Sequence, residues 1–444
     1  MNVILLSGGS GKRLWPLSND VRSKQFLKLL VNPEGGNESM VQRVYRQLKK
    51  VGYWESITVA AGASQKDQIE LQLGKDINLV IEPERRDTFP AIALACAFLY
   101  SEKKIDINSN IAVLPVDPYV DDDFFYKIFE MECELNKFDD DGLVLLGAKP
   151  IFPSEKYGYI VPDDNDNTVK YFKEKPSIML AKELIKQGAM WNCGVFCLKL
   201  RYVFNILKEK YGVDDFSYLN IYELFSNLKK SSFDYEVVEK AEKIRFIKYS
   251  GPWKDLGTWE TFTEEINEYA TGNVVIDKSC NNTHVINEQG LPVVAMGLEN
   301  TVIVACHDGI LVANKGQTHK LKEFASELSY RPMYEERRWG TYTVLDRTMD
   351  KEIGSITKKI SLNRDSQISY QYHDCRKEIW SIISGKGLLY LNGTKREVCA
   401  GEVIEIETGV KHGLKAIMPL EMIEVQIGTN LVEDDIVRLE YDWI

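Results

Sequence analysis

Ser7-Gly8-Gly9-Ser10-Gly11-Lys12-Arg13 carries the residue types and the spacing for binding an anion. Its glycines leave backbone N–H groups free to converge, and Lys12 and Arg13 add charge at the same turn, so the expected ligand is a phosphate. The stretch departs from two familiar phosphate loops. Gly11-Lys12 is followed by Arg13 instead of Ser or Thr, and Arg13 stands where a dinucleotide fingerprint needs its third glycine. A second candidate is Asp117, after Leu114-Pro115-Val116. One carboxylate at a strand end can cap a turn or helix, and it is also consistent with Mg²⁺, which takes one or two carboxylates and completes its octahedron with water and phosphate oxygens.

These residues need elements to position them. Met1 to Leu6, Ser56 to Ala61, Leu79 to Ile81 and Ile111 to Pro115 read as strands. Helical periods fall between them, over Ser39 to Val51, Gln65 to Leu73 and Ala91 to Tyr100. Alternating strands and helices predict a mostly parallel sheet with helices on both faces, whose ligands lie beyond the carboxyl ends of the strands. Gly8 to Arg13, Glu82-Pro83 and Val116-Asp117 all fall at such ends.

The bulk properties narrow the function. A chain of 444 residues suits two or three domains, and 44% hydrophobic residues is ordinary for a globular core. A net charge of −11, spread along the chain, argues against nucleic acid or an anionic membrane as partner. Eight cysteines without Cys-x-x-Cys or framework spacing indicate a reducing, cytoplasmic compartment. Met1 leads straight into a strand, so no secretory signal is expected, and the apolar stretch Leu291 to Leu311 is broken by Glu299, Asn300, His307 and Asp308. All five histidines (284, 307, 319, 373 and 412) are C-terminal, so any chemistry in the N-terminal part proceeds without imidazole.

The glycine stretch, with Lys24-Gln25-Phe26-Leu27 downstream, resembles the signature of sugar-phosphate nucleotidylyltransferases, and most closely the mannose-1-phosphate guanylyltransferases. Further motifs carry the same resemblance: Glu82-Pro83-Glu84-Arg85-Arg86-Asp87-Thr88, Leu114-Pro115-Val116-Asp117, Tyr157-Gly158-Tyr159-Ile160, Phe172-Lys173-Glu174-Lys175-Pro176, Trp191-Asn192-Cys193-Gly194-Val195-Phe196, Phe233-Asp234-Tyr235 and Trp253-Lys254-Asp255-Leu256-Gly257. The resemblance implies a Rossmann-like α/β domain with a mixed sheet. It implies nucleotide contacts from Leu6, Gly8, Gly9, Gly11, Lys12, Arg13, Glu82, Pro83, Arg86, Asp87 and Asp117, and sugar contacts from Gly158, Glu174, Lys175, Asn192 and Gly194. Asp117 and Asp255 would hold Mg²⁺, and Arg13, Lys24 and Lys175 would join them in catalysis.

The chain departs from the family pattern at Pro118, where relatives have His, at Asp87 and Phe89, where they have an amide and Ala, and at Ser154 and Lys156. Another base or another sugar phosphate therefore stays open beside GTP and mannose 1-phosphate. Strand alternation would put Glu174 and Lys175 on opposite faces, so a twist or bulge at Pro176 is expected to bring both into the site.

Glu260 to Tyr269 reads as a helix closing the first domain, and Gly272 to about Leu321 as short strands of a β-helix-like layer suited to self-association. Glu323 to Arg338 reads as a linker or an exposed helix. From Trp339 onward, short strands with Gly turns imply a jelly roll resembling a cupin. Gln371 and His373, two apart on a strand, share a face. Together with Glu378 and His412 they resemble the metal set of the type II mannose-6-phosphate isomerase domain, while Cys375, Ile379 and Gly413 depart from it.

The resulting expectation is a nucleotidyltransferase domain at 1–271, a β-helix-like domain at 272–330 and a cupin domain at 331–444. It would be a cytoplasmic homodimer making GDP-mannose for polysaccharide biosynthesis with Mg²⁺, with Zn²⁺ or another divalent metal in the cupin. The cupin itself reads as an isomerase or as a non-catalytic module that binds a sugar phosphate or drives assembly.

Overall fold

The computed structural model describes residues 1–9, 12–19, 21–53, 56–163, 167–266, 268–328, 332–349, 353–432 and 435–440, without the side chains of Lys12 and Ser326. Gly11 and the Lys12 side chain lie outside what is described. The chain forms two compact units, one of residues 1–14 and 22–267, the other of 15–21 and 268–444.

The first unit is built on a nine-stranded sheet. Its first half is parallel: Asn2–Leu6 runs between Ile57–Gly62 and Asn110–Pro115, and Asn78–Glu82 adds at the edge. Alternation splits each strand between two cores. Ile4, Ile111 and Val113 face one side, and Val3, Leu5, Ala112 and Leu114 the other. Thr88–Ser101 is apolar all round and buried from Phe89 to Ala97, as a helix inside a core must be. Met40–Lys50 is amphipathic, and a capping box between Ser39 and Gln42 starts it.

The second half of the sheet hinges on one long strand, Met190–Lys199, which is antiparallel to its neighbours, while Ile244–Tyr249 adds in parallel to Leu143–Ala148. The long strand pairs with Tyr159–Pro162 near its start, with Leu143–Ala148 along most of its length, and with Asn110–Pro115 towards its end. The register breaks between Asn192 and Phe196, where Gly194 adopts φ +70°. The expectation of a mostly parallel sheet thus holds for the strands around Asn2–Leu6, while Met190–Lys199 runs antiparallel to each of its three neighbours and makes the sheet mixed. The expected helix at Glu260–Tyr269 is also corrected. A Thr258–Thr261 capping box starts it at Trp259, it ends at Thr263, and by Ala270 the chain is a strand.

In the second unit, Ala270–Thr271, His284–Asn287 and Thr301–Cys306 stack in parallel, and Val274–Ile276 stacks on Val293–Ala295. A chain that alternates between two parallel ladders is winding β-helical coils. Asn282 and Asn300, both at φ +47°, stack one above the other, with the Asn282 amide donating to Asn300 Oδ1 at 2.9 Å. The stretch 323–338, expected as a linker or an exposed helix, takes in most of the helix Leu321–Glu327 and the strand Tyr334–Arg337. A six-stranded and a five-stranded sheet follow, sharing a core of Trp380, Ile382, Met422, Leu389 and Leu414. Among the described residues no helix is long and apolar enough to cross a membrane.

Candidate functional site

In the first unit the site grows from strand ends. After Asn2–Leu6 the chain turns at exposed Gly8 and Gly9, the latter at φ +152°. Buried Gln25 donates to the Ser7 carbonyl at 2.6 Å, Ser23 Oγ to the Gly9 carbonyl at 3.3 Å, and Phe26 sits in the core. Two of the three residues in the short turn Lys24–Phe26 are therefore anchors, and the remaining side chain, Lys24, reaches into the site. Its Nζ lies 2.7 Å from Asp117 Oδ2 and 3.2 Å from Asp255 Oδ1.

Asp117 and Asp255, 138 positions apart, meet because Pro118–Val120 and Trp253–Asp255 form an antiparallel ribbon with Asp255 opposite Pro118. Both carboxylate oxygens contact one nitrogen, so they lie at most 5.9 Å apart. A hard ion with oxygen ligands about 2.1 Å away is within reach of both after small side-chain movements. Gly257 makes room, since a Cβ there would stand 3.1 Å from Asp255 Oδ1. Burial alone would raise Asp255, but the Lys24 ammonium, with Arg13 and Lys156 behind it, holds the carboxyl below its ordinary range. Burial likewise works against the Lys24 charge, and the two carboxylates outweigh it, so the lysine stays protonated well above its ordinary value.

Glu82 ends its strand buried beside the glycine turn, with Oε1 3.8 Å from where a Gly8 Cβ would stand, and burial pushes it up to about 7. Pro83 is exposed. Arg86 is engaged by Glu84 at 2.8 Å and by the Leu228 carbonyl at 2.9 Å. Asp87, at φ +69°, caps the Thr88–Ser101 helix by accepting from Thr88 N, and its carboxylate suits the positive helix terminus. Phe89 is fully buried in the core. These two departures from the family pattern therefore have structural causes in the helix and its packing.

A second cluster gathers Gly158, Glu174, Lys175, Asn192 and Gly194. The Val169–Lys173 strand ends before Glu174, and Lys175 adopts φ +43°. This left-handed residue breaks the alternation one position before Pro176 and lets Lys175 Nζ meet Glu174 Oε1 at 2.5 Å. Gly158 is required: a Cβ would stand 2.5 Å from both Glu174 Oε2 and the Phe172 ring. Asn192 donates through its backbone to the Gly158 carbonyl at 2.8 Å and through its amide to Asp234 Oδ1 at 2.8 Å, and accepts from Gly194 N. Burial, with Glu174 adding to it, pushes Asp234 up to about 7. Asp234 was absent from the expected site, although its motif was visible in the sequence. Lys175 also lies over the Tyr235 ring, 5.6 Å from its centroid.

In the jelly roll, one ligand atom each from His373, Glu378 and His412 lies within 4.8 Å of the others, and all three residues are buried. His373 Nδ1 faces the Asp435 carbonyl at 3.2 Å and His412 Nδ1 the Val410 carbonyl at 2.8 Å. A carbonyl only accepts, so each Nδ1 carries a proton and each Nε2 is the ring atom left to face Glu378. Those Nε2 atoms are buried without a hydrogen bond and face Glu378 at 3.0 and 3.6 Å. With neutral imidazoles these atoms could converge on one ion, and imidazole nitrogens with a carboxylate oxygen are the donor set of a divalent transition metal. Gln371 pairs in register with His412, and its Oε1 accepts from Ser369 Oγ at 2.8 Å.

Around the three ligands lie residues that sequence reasoning missed. Trp380 and Gln426 donate to Glu378 at 3.0 and 3.1 Å, and Arg376 at 3.2 Å. Gln426 also donates to Glu424, which Lys358 approaches at 3.5 Å. The signal was there: Glu424 and Gln426 alternate in phase with core residues Leu420 and Met422 on one strand.

Residues 2–272 match the nucleotidyl transferase family, and residues 325–441 match the mannose-6-phosphate isomerase C-terminal family. The chain is 30% identical to the xanthan biosynthesis protein XanB of Xanthomonas campestris pv. campestris (strain B100), over 98% of this chain and 97% of that protein. It is 28% identical to a mannose-1-phosphate guanylyltransferase of Salmonella montevideo, over 98% of each. A crystal structure described as mannose-1-phosphate geranyltransferase from Thermus thermophilus aligns with TM-score 0.60 at 27% identity, over 74% of this chain and 98% of that one.

Proposed function

The chain belongs to the nucleotidyl transferase family, and on that footing we propose that it joins GTP and mannose 1-phosphate into GDP-mannose, releasing pyrophosphate, to supply polysaccharide assembly. The observation that carries this reading is the meeting of Lys24, Asp117 and Asp255 beside the glycine turn. A phosphate oxygen of the sugar 1-phosphate attacks the α-phosphorus, the bond to the β-phosphate oxygen breaks, and pyrophosphate leaves in line. The attacking oxygen is already anionic, so the absence of histidine from this unit is no deficit.

Gly8, Gly9, Gly11, Lys12 and Leu6 cradle the triphosphate, and Glu82, Pro83, Arg86 and Asp87 form the segment beside the base. Gly158, Glu174, Asn192 and Gly194 hold the sugar, and Lys175 its phosphate. Arg13 and Lys24 balance charge on the transferring and leaving phosphates. Asp117 and Asp255 would hold Mg²⁺, which supplies charge neutralisation to the phosphate oxygens when bound. Assays of pyrophosphate release over a panel of nucleoside triphosphates and sugar 1-phosphates test the reading. Greatest turnover with GTP and mannose 1-phosphate supports it; a marked preference for another pair replaces the base or sugar and leaves the reaction type intact.

A second activity is favoured by the convergence of the buried Nε2 atoms of His373 and His412 on Glu378. With Glu378, and with Gln371 beside them, they would hold Zn²⁺ or another divalent metal for mannose-6-phosphate isomerisation. Isomer exchange that survives His412→Ala would leave the cupin as a binding or assembly module. The three-part division at residues 271 and 330, a cytoplasmic location and a homodimer complete the proposal. Self-association is supported by the exposed valines Val275 and Val294, which are register neighbours on the β-helical ladder. A monomeric mass by light scattering would remove the dimer.

A further inference from the structure

The Lys24 ammonium lies at hydrogen-bond distance from both Asp117 and Asp255, 2.7 and 3.2 Å away, at the position from which a single ion would reach both carboxylates. An ion ligated by these two oxygens would stand within a few ångströms of the ammonium with no room for an intervening anion, so the two cations exclude one another. We infer that Lys24 is a resident counter-cation that competes with the divalent ion for the two aspartates and must withdraw before the ion can bind. This rests on the reading of Asp117 and Asp255 as the ion's ligands.

The local structure provides the means of withdrawal. Gln25 and Phe26 fix the backbone of the lysine, and its long four-carbon stem, with several rotatable bonds, is the part that can re-aim the ammonium. Its neighbour Ser23 donates to the Gly9 carbonyl, so the root of the side chain lies beside the glycine turn where a triphosphate would rest. An incoming triphosphate offers the ammonium a second anion. Lys24 then moves onto phosphate as the carboxylates are freed, and nucleotide binding is coupled to ion binding through one side chain. A lysine that served only as a phosphate ligand would leave ion binding to the aspartates unchanged when removed.

The test titrates Mn²⁺ alone into the full chain, with free ion read by electron paramagnetic resonance. The class of sites lost in Asp255→Asn is the aspartate class, distinct from any cupin ion. In Lys24→Met that class should bind Mn²⁺ about tenfold or more tightly than in the native chain, and in Lys24→Arg, which keeps the charge, no more tightly. Should Lys24→Met lose its native circular dichroism, Lys24→Gln carries the same expectation. Equal affinity in the neutral variants and the native chain, with Asp255→Asn still weakening binding, would overturn the counter-cation while sparing the ligand assignment. Mn²⁺ binding indifferent to Asp117→Asn and Asp255→Asn, with and without GTP, would overturn both.

Discussion

The two candidate metal sites of this chain are built on opposite plans. In the first unit the carboxylates are about one-third exposed, 33% for Asp117 and 31% for Asp255, stand at strand ends, and are neutralised by a lysine. In the jelly roll His373, Glu378 and His412 are 1% exposed or less, and backbone carbonyls pin the imidazoles. An open pair of hard oxygens suits an ion that arrives and leaves with a phosphate substrate, whereas a closed nitrogen and oxygen set suits an ion that stays. The difference teaches that residue type says which ion a site prefers, and burial says how long the site keeps it.

This contrast is open to being broken. The largest effect is expected from Asp255→Asn, which should lower the transferase rate on the order of 10²-fold or more while the metal content of purified protein stays unchanged. If bound metal falls with the rate, the two sites are not independent. Next, His412→Ala should weaken retention of the cupin metal by roughly 100-fold, read by elemental analysis after dialysis against a chelator. Retention at the native level would show that the closed set holds no ion.

Smaller effects sharpen the first half of the comparison. Gly158→Ala places a methyl group 2.5 Å from Glu174 Oε2 and the Phe172 ring, and should cost about 1–3 kcal/mol in a denaturant melt. The smallest effect concerns pH. Between the ordinary aspartate value and about 7, the folded chain keeps a proton on Asp234 that the unfolded chain has released, so this group's contribution to stability falls as pH rises through that window. Thermal melts at pH 5 and pH 8 should therefore differ less in Asp234→Asn than in the native chain. An unchanged difference would show that Asp234 ionises freely.

Much of this was legible in the sequence because local patterns dictate it. The strand Asn2–Leu6, the helix following Ser39 and the short strands of the jelly roll follow from neighbours a few residues apart. What stayed hidden depends on partners far along the chain. No spacing rule places Asp117 against Asp255, since only their ribbon does so. Alternation misplaced the break near Pro176 because the left-handed backbone falls on Lys175, a residue type that gives no hint of it. Asp87 also caps a helix and Phe89 also packs in the core, structural roles that their departure from the family pattern did not announce.

The mid-strand exchange of partners along Met190–Lys199 has a wider consequence. On one side of the break the strand carries Asn192, which holds Gly158 and Asp234; on the other it is laced to Asn110–Pro115, which leads to Asp117. Gly194 absorbs the misfit between the halves, so a change on the Asn192 side need not disturb the Asp117 side. On the proposed reading, such a seam would let one frame be refitted to a different acceptor one half at a time.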